Sequence, residues 1–286
     1  MESSRTISIR RHEGGEAAER DDCLAVEEPM EIRVAFGPES AREAKSLSIT
    51  MRTPGEDFEL AAGFLFTEQI LRDREQIRQI EFCGPPAPGR STSNIVRVDL
   101  APGVELDRVK LERHFYATSS CGICGKASLD ALEIAAPPKI EASSPRIDPS
   151  VIHTVPDVLR AAQPLFDKTG GLHAAALVDA VDGRILEPTI GDLREDVGRH
   201  NAVDKLLGRR FLDGRMPLSQ SLLVLSGRAS FEIGQKALAA GIPAIVAVGA
   251  PSTLAVDLAE RHGVTLIGFA SDRRFNVYAG AQRVAG

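Results

Sequence analysis

Short apolar runs alternate with amphipathic segments in the second half of this chain, and this pattern constrains its fold more than any other feature. Residues 221–225 and 244–248 are apolar enough to form strands that are buried on both faces. Residues 231–240 and 253–262 show helical periodicity instead. Such βα alternation predicts a largely parallel sheet with helices on both faces. The expected fold class is therefore α/β, with a three-layer domain over residues 151–286.

The first half of the chain has a different pattern, which is typical of a small α+β domain. Residues 29–36 and 47–52 alternate apolar and polar side chains, as half-buried strands do. Residues 57–71 repeat apolar side chains at helical spacing, which predicts an amphipathic helix. Two further strands are predicted at 77–82 and 94–100.

Shifts in composition mark the expected domain boundaries. The start of the chain is polar, carries both charge signs and contains Gly14-Gly15, which is typical of a mobile terminus. Residues 136–150 are rich in Pro and Ser, which indicates a linker. Four parts are predicted: a mobile tail over 1–21, an N-terminal α+β domain over 22–112, a CxxC loop with a short helix and a linker over 113–150, and a C-terminal α/β domain over 151–286.

Composition argues against several classes of protein. A net charge of −6, no Trp and only two Tyr disfavour a nucleic-acid partner. No apolar run is long enough to cross a bilayer, and residues 1–22 lack the apolar region of a secretory signal. We therefore expect a cytoplasmic protein with no membrane association. In that compartment the four cysteines are not expected to form a disulfide framework.

Two of those cysteines, Cys121 and Cys124, are three residues apart between small residues and just before a predicted helix at 127–135. A thiol at the first turn of a helix with Lys126 nearby should have a lowered pKa, and the thiolate is the reactive form. The spacing alone allows half of a zinc site, a thioredoxin-like redox pair or a sulfur carrier. No second CxxC is present to complete a zinc site, and the strand that precedes a thioredoxin motif is missing.

Residues 187–205 are dense in chargeable groups and lead into a predicted helix at 199–207. A helix N-terminus favours anions, and Arg194, Arg199 and Lys205 would add to this. With His200 and Asn201 beside them, the segment is predicted to contact an anionic ligand. The alternative interpretation is an exposed loop held by salt bridges. His173, which follows a Gly-Gly turn and begins an apolar strand, is a further candidate, although a lone His is more often structural.

Polar residues follow three successive predicted strands, at the positions where α/β sheets bind ligands. The alternative for any one of these segments is an ordinary connecting loop, and none of them is a Walker A or GxGxxG motif. Their small, hydroxyl and basic side chains together suit a nucleotide-like ligand with phosphates. The candidates are Ser226, Gly227 and Arg228 after one strand, residues 251–253 after the next, and Phe269, Ala270, Ser271, Asp272, Arg273 and Arg274 after the third.

These motifs together resemble the FdhD family of formate dehydrogenase accessory sulfurtransferases. The resemblance spans nearly the whole chain past the tail, and its segment EDVGRHNAVDKLLG at 195–208 is long and specific. The other matching segments are MRTPGEDFELAAGFLFTEQI at 51–70, SSCGICG at 119–125, TGGLHAAAL at 169–177, SGRASFE at 226–232, AGIPAIVAVGAPSTLAVDLAERHGVTLIGF at 240–269 and NVY at 276–278.

The resemblance implies a function. Proteins of this family take sulfur from a cysteine desulfurase and pass it to the molybdenum (or tungsten) bis-pterin guanine dinucleotide cofactor of formate dehydrogenase. Carried onto this chain, Cys121 would hold a persulfide, Cys124 would assist, and residues 269–274 would contact the cofactor. A homodimer is also implied.

The resemblance further implies that the second domain is similar to the cytidine deaminase fold. A zinc deaminase needs H-x-E and P-C-x-x-C at two helix starts. The corresponding segments here are 200–202, which is His-Asn-Ala, and 226–231, which contains no cysteine. We therefore expect neither deaminase chemistry nor a tightly held metal. Two functions from other classes stay open: a cofactor chaperone without a reactive thiol, and an independent CxxC dithiol reductase.

Overall fold

The chain begins with a β-hairpin. The computed structural model describes residues 2–86, 92–104, 106 and 137–285. β1 (Ser4–Glu13) pairs with β2 (Glu16–Ala25) in antiparallel fashion around a turn at Gly14 and Gly15. The structure differs here from the mobile tail predicted over 1–21. Ile7 and Ile9 alternate with exposed residues and are half-buried, which gives the hairpin one face that packs on the body of the protein.

A four-stranded sheet backed by one helix forms the N-terminal domain, as predicted. Its strands lie in the order β4-β3-β6-β5, in which β3 and β6 are parallel and the other neighbours antiparallel. The elements are β3 (Glu28–Phe36), β4 (Glu43–Arg52), α1 (Asp57–Thr67), β5 (Ile77–Phe82) and β6 (Ile95–Leu100), with short 3-10 turns at Glu39–Ala41 and Arg74–Gln76.

The C-terminal domain is built on a six-stranded sheet. Its helices are α2 (Pro149–Ala161), α3 (Pro164–Thr169), α4 (Arg199–Leu212), α5 (Phe231–Ala239) and α6 (Thr253–His262), with a 3-10 turn at Ala281–Arg283. Its strands are β7 (Arg146–Ile147), β8 (His173–Asp179), β9 (Arg184–Ile185), β10 (Asp192–Asp196), β11 (Ser221–Leu225), β12 (Ala244–Ala247), β13 (Thr265–Gly268) and β14 (Asn276–Ala279). The sheet order is β10-β8-β11-β12-β13-β14, and β7 pairs separately with β9.

Both faces of this sheet are buried, which confirms the three-layer α/β arrangement. On β12, Ala244 and Val246 face the core formed with α2, whereas Ile245 and Ala247 face the core formed with α4, α5 and α6. Because successive side chains of a strand point to opposite faces, a strand covered on both sides must be apolar throughout. The uninterrupted apolar runs of the sequence have this cause.

Three features of the C-terminal domain differ from the prediction. The sheet is mixed rather than largely parallel, since β8, β10 and β14 run antiparallel to their neighbours. The single helix predicted from 151 to 168 is two helices, because Pro164 has no N–H to continue the first. The predicted loop before residue 199 contains β10, and the predicted linker contains β7.

The two domains share one core. Two glycines lie where α1 crosses α4: a Cβ on Gly63 would lie 1.8 Å from the carbonyl oxygen of Asp204, and one on Gly208 would lie 1.9 Å from that of Glu59. The absence of side chains at these positions lets the two helix backbones touch. Buried residues of the N-terminal sheet and of the C-terminal helices form a single hydrophobic cluster around this crossing. Of the helices described, none combines the length and apolar character needed to cross a bilayer.

Candidate functional site

A cavity of about 580 Å³ lies at the edge of the six-stranded sheet where β11, β12 and β13 end. β8 runs antiparallel to β11, so its first residue, His173, lies at the same edge. Ser226 follows β11 and joins it to β8 at this edge. Its Oγ accepts a hydrogen bond from the N–H of Ala174 at 2.8 Å, and its own N–H donates to the Ala174 carbonyl at 3.0 Å.

Several residues predicted from the sequence as cofactor contacts line this cavity: His173, Ser226, Ala270, Ser271 and Asp272. They come from the start of β8 and from the segments after β11 and β13. Antiparallel pairing of β8 with β11 brings the first of them to the others. The prediction that ligand-binding residues gather at strand ends is consistent with this arrangement.

The turn after β13 is held in one shape by local hydrogen bonds. The Oγ of Ser271 accepts from the N–H of Arg273 at 3.4 Å and from that of Arg274 at 3.3 Å, while its N–H donates to the Arg274 carbonyl at 3.0 Å. A ring nitrogen of His153 on α2 lies 3.0 Å from the Ser271 carbonyl oxygen. The arginine side chains therefore point to solvent, and that of Arg273 is 90% exposed.

Phe269, the first residue of this segment, has a φ of +53°, which is unusual for a residue with a Cβ. Its N–H donates to the Gly249 carbonyl at 3.2 Å, and the next N–H, from Ala270, donates to the Ala247 carbonyl at 3.1 Å. The two bonds fix the turn and leave the aromatic ring 40% exposed. Phe269 is thus presented to solvent next to the cavity rather than inside it.

Basic groups surround His173. Burial lowers the pKa of His173 below its ordinary value, and the positive charges of Arg199, Arg228 and His200 lower it further. His200 itself lies 3.0 Å from the carboxylate of Glu232. Gly227 passes close by, since a Cβ there would lie 3.2 Å from the His173 ring. An anion at this edge of the sheet would be stabilised by these charges and by the start of α4.

The lowered pKa of His173 makes the stability of the fold depend on pH. The unfolded chain binds a proton on this imidazole at a higher pH than the folded chain does. The stability that the neutral imidazole of His173 contributes should therefore be complete above about pH 6.5. The free energy of unfolding should fall as the pH is lowered through that value. His173→Gln should reduce this slope in urea titrations followed at several pH values. Equal slopes for the two proteins would contradict the assignment.

Two further predicted contacts, Asn201 and Lys205, lie in the joint between the domains. Lys205 is fully buried, with its Nζ 2.8 Å from the Asp196 carboxylate and 2.9 Å from the Thr53 carbonyl oxygen. The side-chain amide of Asn201 donates to the Met51 carbonyl at 2.7 Å. Their polar atoms are committed to protein partners, so these side chains join the α4 segment to β4 instead of lining the cavity.

Arg194 also joins the two domains. Its guanidinium forms a two-pronged ion pair with Glu59 on α1, at 2.5 and 2.9 Å. This carboxylate raises the pKa of Arg194, although burial opposes the effect. The sequence predicts a ligand loop around residue 195, with an exposed loop held by salt bridges as the alternative. The structure instead pairs Arg194, Asn201 and Lys205 with residues of the N-terminal domain.

One wall of the cavity consists of residues that no sequence motif predicts as ligand contacts. It is formed by the end of α2 and by α3 and includes Arg160, Gln163 and Phe166. The start of α3 is fixed by Glu195, whose carboxylate accepts from the N–H groups of Leu165 at 3.0 Å and of Phe166 at 2.8 Å. Pro164 was the available signal, because a proline inside a helical pattern indicates a break where two helices can enclose a space.

The cysteines predicted to be reactive, Cys121 and Cys124, lie outside the described residues, as does the short helix predicted at 127–135. On either side of that segment, Leu106 and Ile140 pack against the larger core. Burial raises the pKa of Cys83, which disfavours its thiolate. Among the side chains described, no group of three or more His, Cys, Asp or Glu is placed to hold a metal ion.

Comparison with known proteins assigns the chain to a family. The FdhD/NarQ family model matches residues 25–285, and so excludes most of the β1–β2 hairpin. The sulfur carrier protein FdhD of Streptomyces avermitilis is 51% identical over 286 residues, which cover 99% of this chain and 95% of that protein. The sulfur carrier protein FdhD of Mycobacterium tuberculosis is 47% identical over 285 residues, covering 96% of each chain.

A solved structure shares the fold. A crystal structure described as a candidate formate dehydrogenase accessory protein, from Desulfotalea psychrophila, superposes with a TM-score of 0.72. It is 24% identical in sequence, and the alignment covers 99% of this chain and all of that one. The family match over nearly the whole chain and the high identity to curated relatives lead to one conclusion: this chain belongs to the FdhD/NarQ family.

Proposed function

We propose that this protein is a sulfur carrier. It receives sulfur from a cysteine desulfurase as a persulfide on Cys121 and delivers it to the molybdenum bis-pterin guanine dinucleotide cofactor, which serves formate dehydrogenase. Family membership and the name that its relatives carry support the proposal. The structural observation that supports it most is the cavity at the sheet edge, because a chain with the CGIC motif also needs a place for the sulfur acceptor.

The cavity suits part of such a substrate. Its volume of about 580 Å³ is typical of small-molecule sites and is large enough for one fused heterocycle with its attached atoms. Apolar walls, including Leu159 and Val248, suit the faces of the rings. The phosphates would lie toward His173, Arg199 and Arg228, where positive charge is concentrated. The exposed ring of Phe269 and the side chains of Arg273 and Arg274 would contact the rest of the cofactor.

The proposed sulfur transfer uses both thiols of the CGIC motif. The Cys121 thiolate attacks the terminal sulfur of the desulfurase persulfide, and the desulfurase cysteine leaves as a thiolate. Release of the terminal persulfide sulfur as sulfide then needs two electrons, which the two thiols supply by forming a disulfide. Attack by Cys124 on the Cys121 sulfur releases the terminal sulfur as hydrosulfide to the acceptor and leaves a Cys121–Cys124 disulfide. A cellular dithiol reductant restores the two thiols.

Labelled sulfur tests the first step. Incubation with a cysteine desulfurase and [35S]cysteine should load the protein with sulfur that a thiol reductant removes. Cys121→Ala should lose that label, because no other thiol replaces the acceptor. Cys124→Ala should retain the label but release it slowly, since the resolving thiol is missing.

Cys83→Ala is the matched control and should label normally, because its thiol has a raised pKa. Normal labelling of Cys121→Ala would refute the persulfide assignment. If no variant and no wild-type protein is labelled while the protein still binds the cofactor, the chain acts as a cofactor chaperone.

A further inference from the structure

Gln163, on the cavity wall, is a buried side chain whose amide nitrogen has no hydrogen-bond partner among the described residues. It is 2% exposed and lines the cavity. In the part of the chain that the structure describes, its Nε2 has no hydrogen-bond acceptor. The residue precedes the first turn of α3, but its side chain makes no capping bond there. Buried amide groups are nearly always paired, so this donor needs an explanation.

The residues around Gln163 are held firmly, which excludes simple looseness of the wall as that explanation. Its carbonyl accepts from the N–H of Asp167 at 3.0 Å, inside α3. The guanidinium of Arg160 lies over the Phe166 ring, 4.5 Å from its centroid. Glu195 binds the first N–H groups of α3 from the opposite side. The backbone that carries Gln163 is thus fixed in place before any ligand is present.

We infer that Gln163 hydrogen-bonds the ring carbonyl of a ligand heterocycle in the cavity. The inference rests on the proposed function and specifies the ligand class at that site. The 2-amino-4-oxopyrimidine edge is shared by guanine and pterin, and its carbonyl oxygen accepts from an amide N–H. Adenine carries an amino group at the same position and offers no acceptor there. Gln163 is therefore a specificity-determining residue that selects the oxo-heterocycle.

If Gln163 serves ligand binding, its replacement should weaken binding without lowering the stability of the fold. A side chain that serves the fold loses stability when its polar atoms are removed. An unpaired donor does the reverse, since replacement by an apolar group of the same shape is neutral or stabilising. Gln163→Met should therefore unfold at the same urea concentration as the wild type or at a higher one, while binding the oxo-heterocycle less tightly.

Calorimetry with three probes tests the inference: GDP, ADP and 6-hydroxymethylpterin. We expect Gln163→Met to bind GDP, the pterin or both about five- to tenfold more weakly than the wild type. Its affinity for ADP should stay unchanged. Gln79→Met is the matched control, because Gln79 is exposed on β5 and bonded to Glu81. It should change none of the three affinities.

The outcomes separate the possible ligands and the possible failures. A loss confined to GDP identifies guanine at Gln163, and a loss confined to the pterin identifies the pterin. Equal affinities of wild type and Gln163→Met for both overturn the inference, as does an equal loss for ADP or a lower stability of the variant. Absence of any binding by the wild type overturns it as well. Sulfur labelling of Cys121 is measured without these probes, so it judges the sulfur-carrier proposal separately.

Discussion

Replacing Lys236 with methionine should destabilise the protein by about 3–5 kcal/mol, because the change leaves a buried carboxylate without its cation. The Lys236 ammonium on α5 lies 2.9 and 3.0 Å from the two Asp204 oxygens on α4, and 2.9 Å from Thr67 Oγ1 on α1. Burial alone would lower the pKa of Lys236, but Asp204 and Glu68 raise it above its ordinary value. One side chain thus joins three helices at the boundary between the domains.

Urea unfolding of two further variants checks the cause. Lys236→Met combined with Asp204→Asn should recover at least half of the lost stability, since no buried charge is left unpaired. Arg78→Met is the matched control: Arg78 pairs with Glu39 at 3.0 Å, but both side chains are exposed. It should cost less than about 1 kcal/mol. A double variant no more stable than the single one would show that lost packing, not charge, is the cause.

Alanine at Gly63 should cost at least about 3 kcal/mol of stability, even though alanine favours helices. Its Cβ would lie 1.8 Å from the Asp204 carbonyl oxygen, so α1 and α4 would have to separate. Separation would open the core that the domains share and displace Asp204 from Lys236. The same substitution at Gly208 should have a similar effect, because a Cβ there would lie 1.9 Å from the Glu59 carbonyl oxygen.

Gly171→Ala is the control for this prediction. The nearest atom to a Cβ at Gly171 is 3.8 Å away, so the methyl group has room. Its unfolding midpoint in urea should stay close to that of the wild type. Equal midpoints for Gly63→Ala and Gly171→Ala would mean that the close approach of α1 and α4 contributes little to stability.

Much of the C-terminal fold could be predicted because a strand that is buried on both faces appears in the sequence as a local apolar run. The run at Ser221–Leu225 is apolar at all positions after Ser221, and the structure confirms it as a strand that is buried throughout. The direction of each strand relative to its neighbours produces no such local pattern. β8 pairs with β11 in an antiparallel sense across more than forty residues of intervening chain. A sequence pattern does not contain that long-range information.

The candidate site was predictable to a similar degree. Ser226 and Ser271 are predicted contacts because polar residues directly follow apolar strands, and both line the cavity. Sequence alone predicts a ligand contact for Lys205 because a charged residue near a helix start has two possible partners, an external anion or an internal carboxylate. Its pairing with Asp196 and the Thr53 carbonyl depends on a contact between the domains. Gln163 carries no charge and follows no strand, so no sequence pattern marks it as a ligand contact.

Formate dehydrogenase activity in cells that lack their own copy of this gene tests the central claim most directly. The wild-type protein should restore the activity. Cys121→Ala should not restore it, although the variant should be present at the same level, unfold at the same urea concentration and bind GDP equally well. Full restoration by Cys121→Ala would contradict the proposal that this chain carries sulfur on that cysteine.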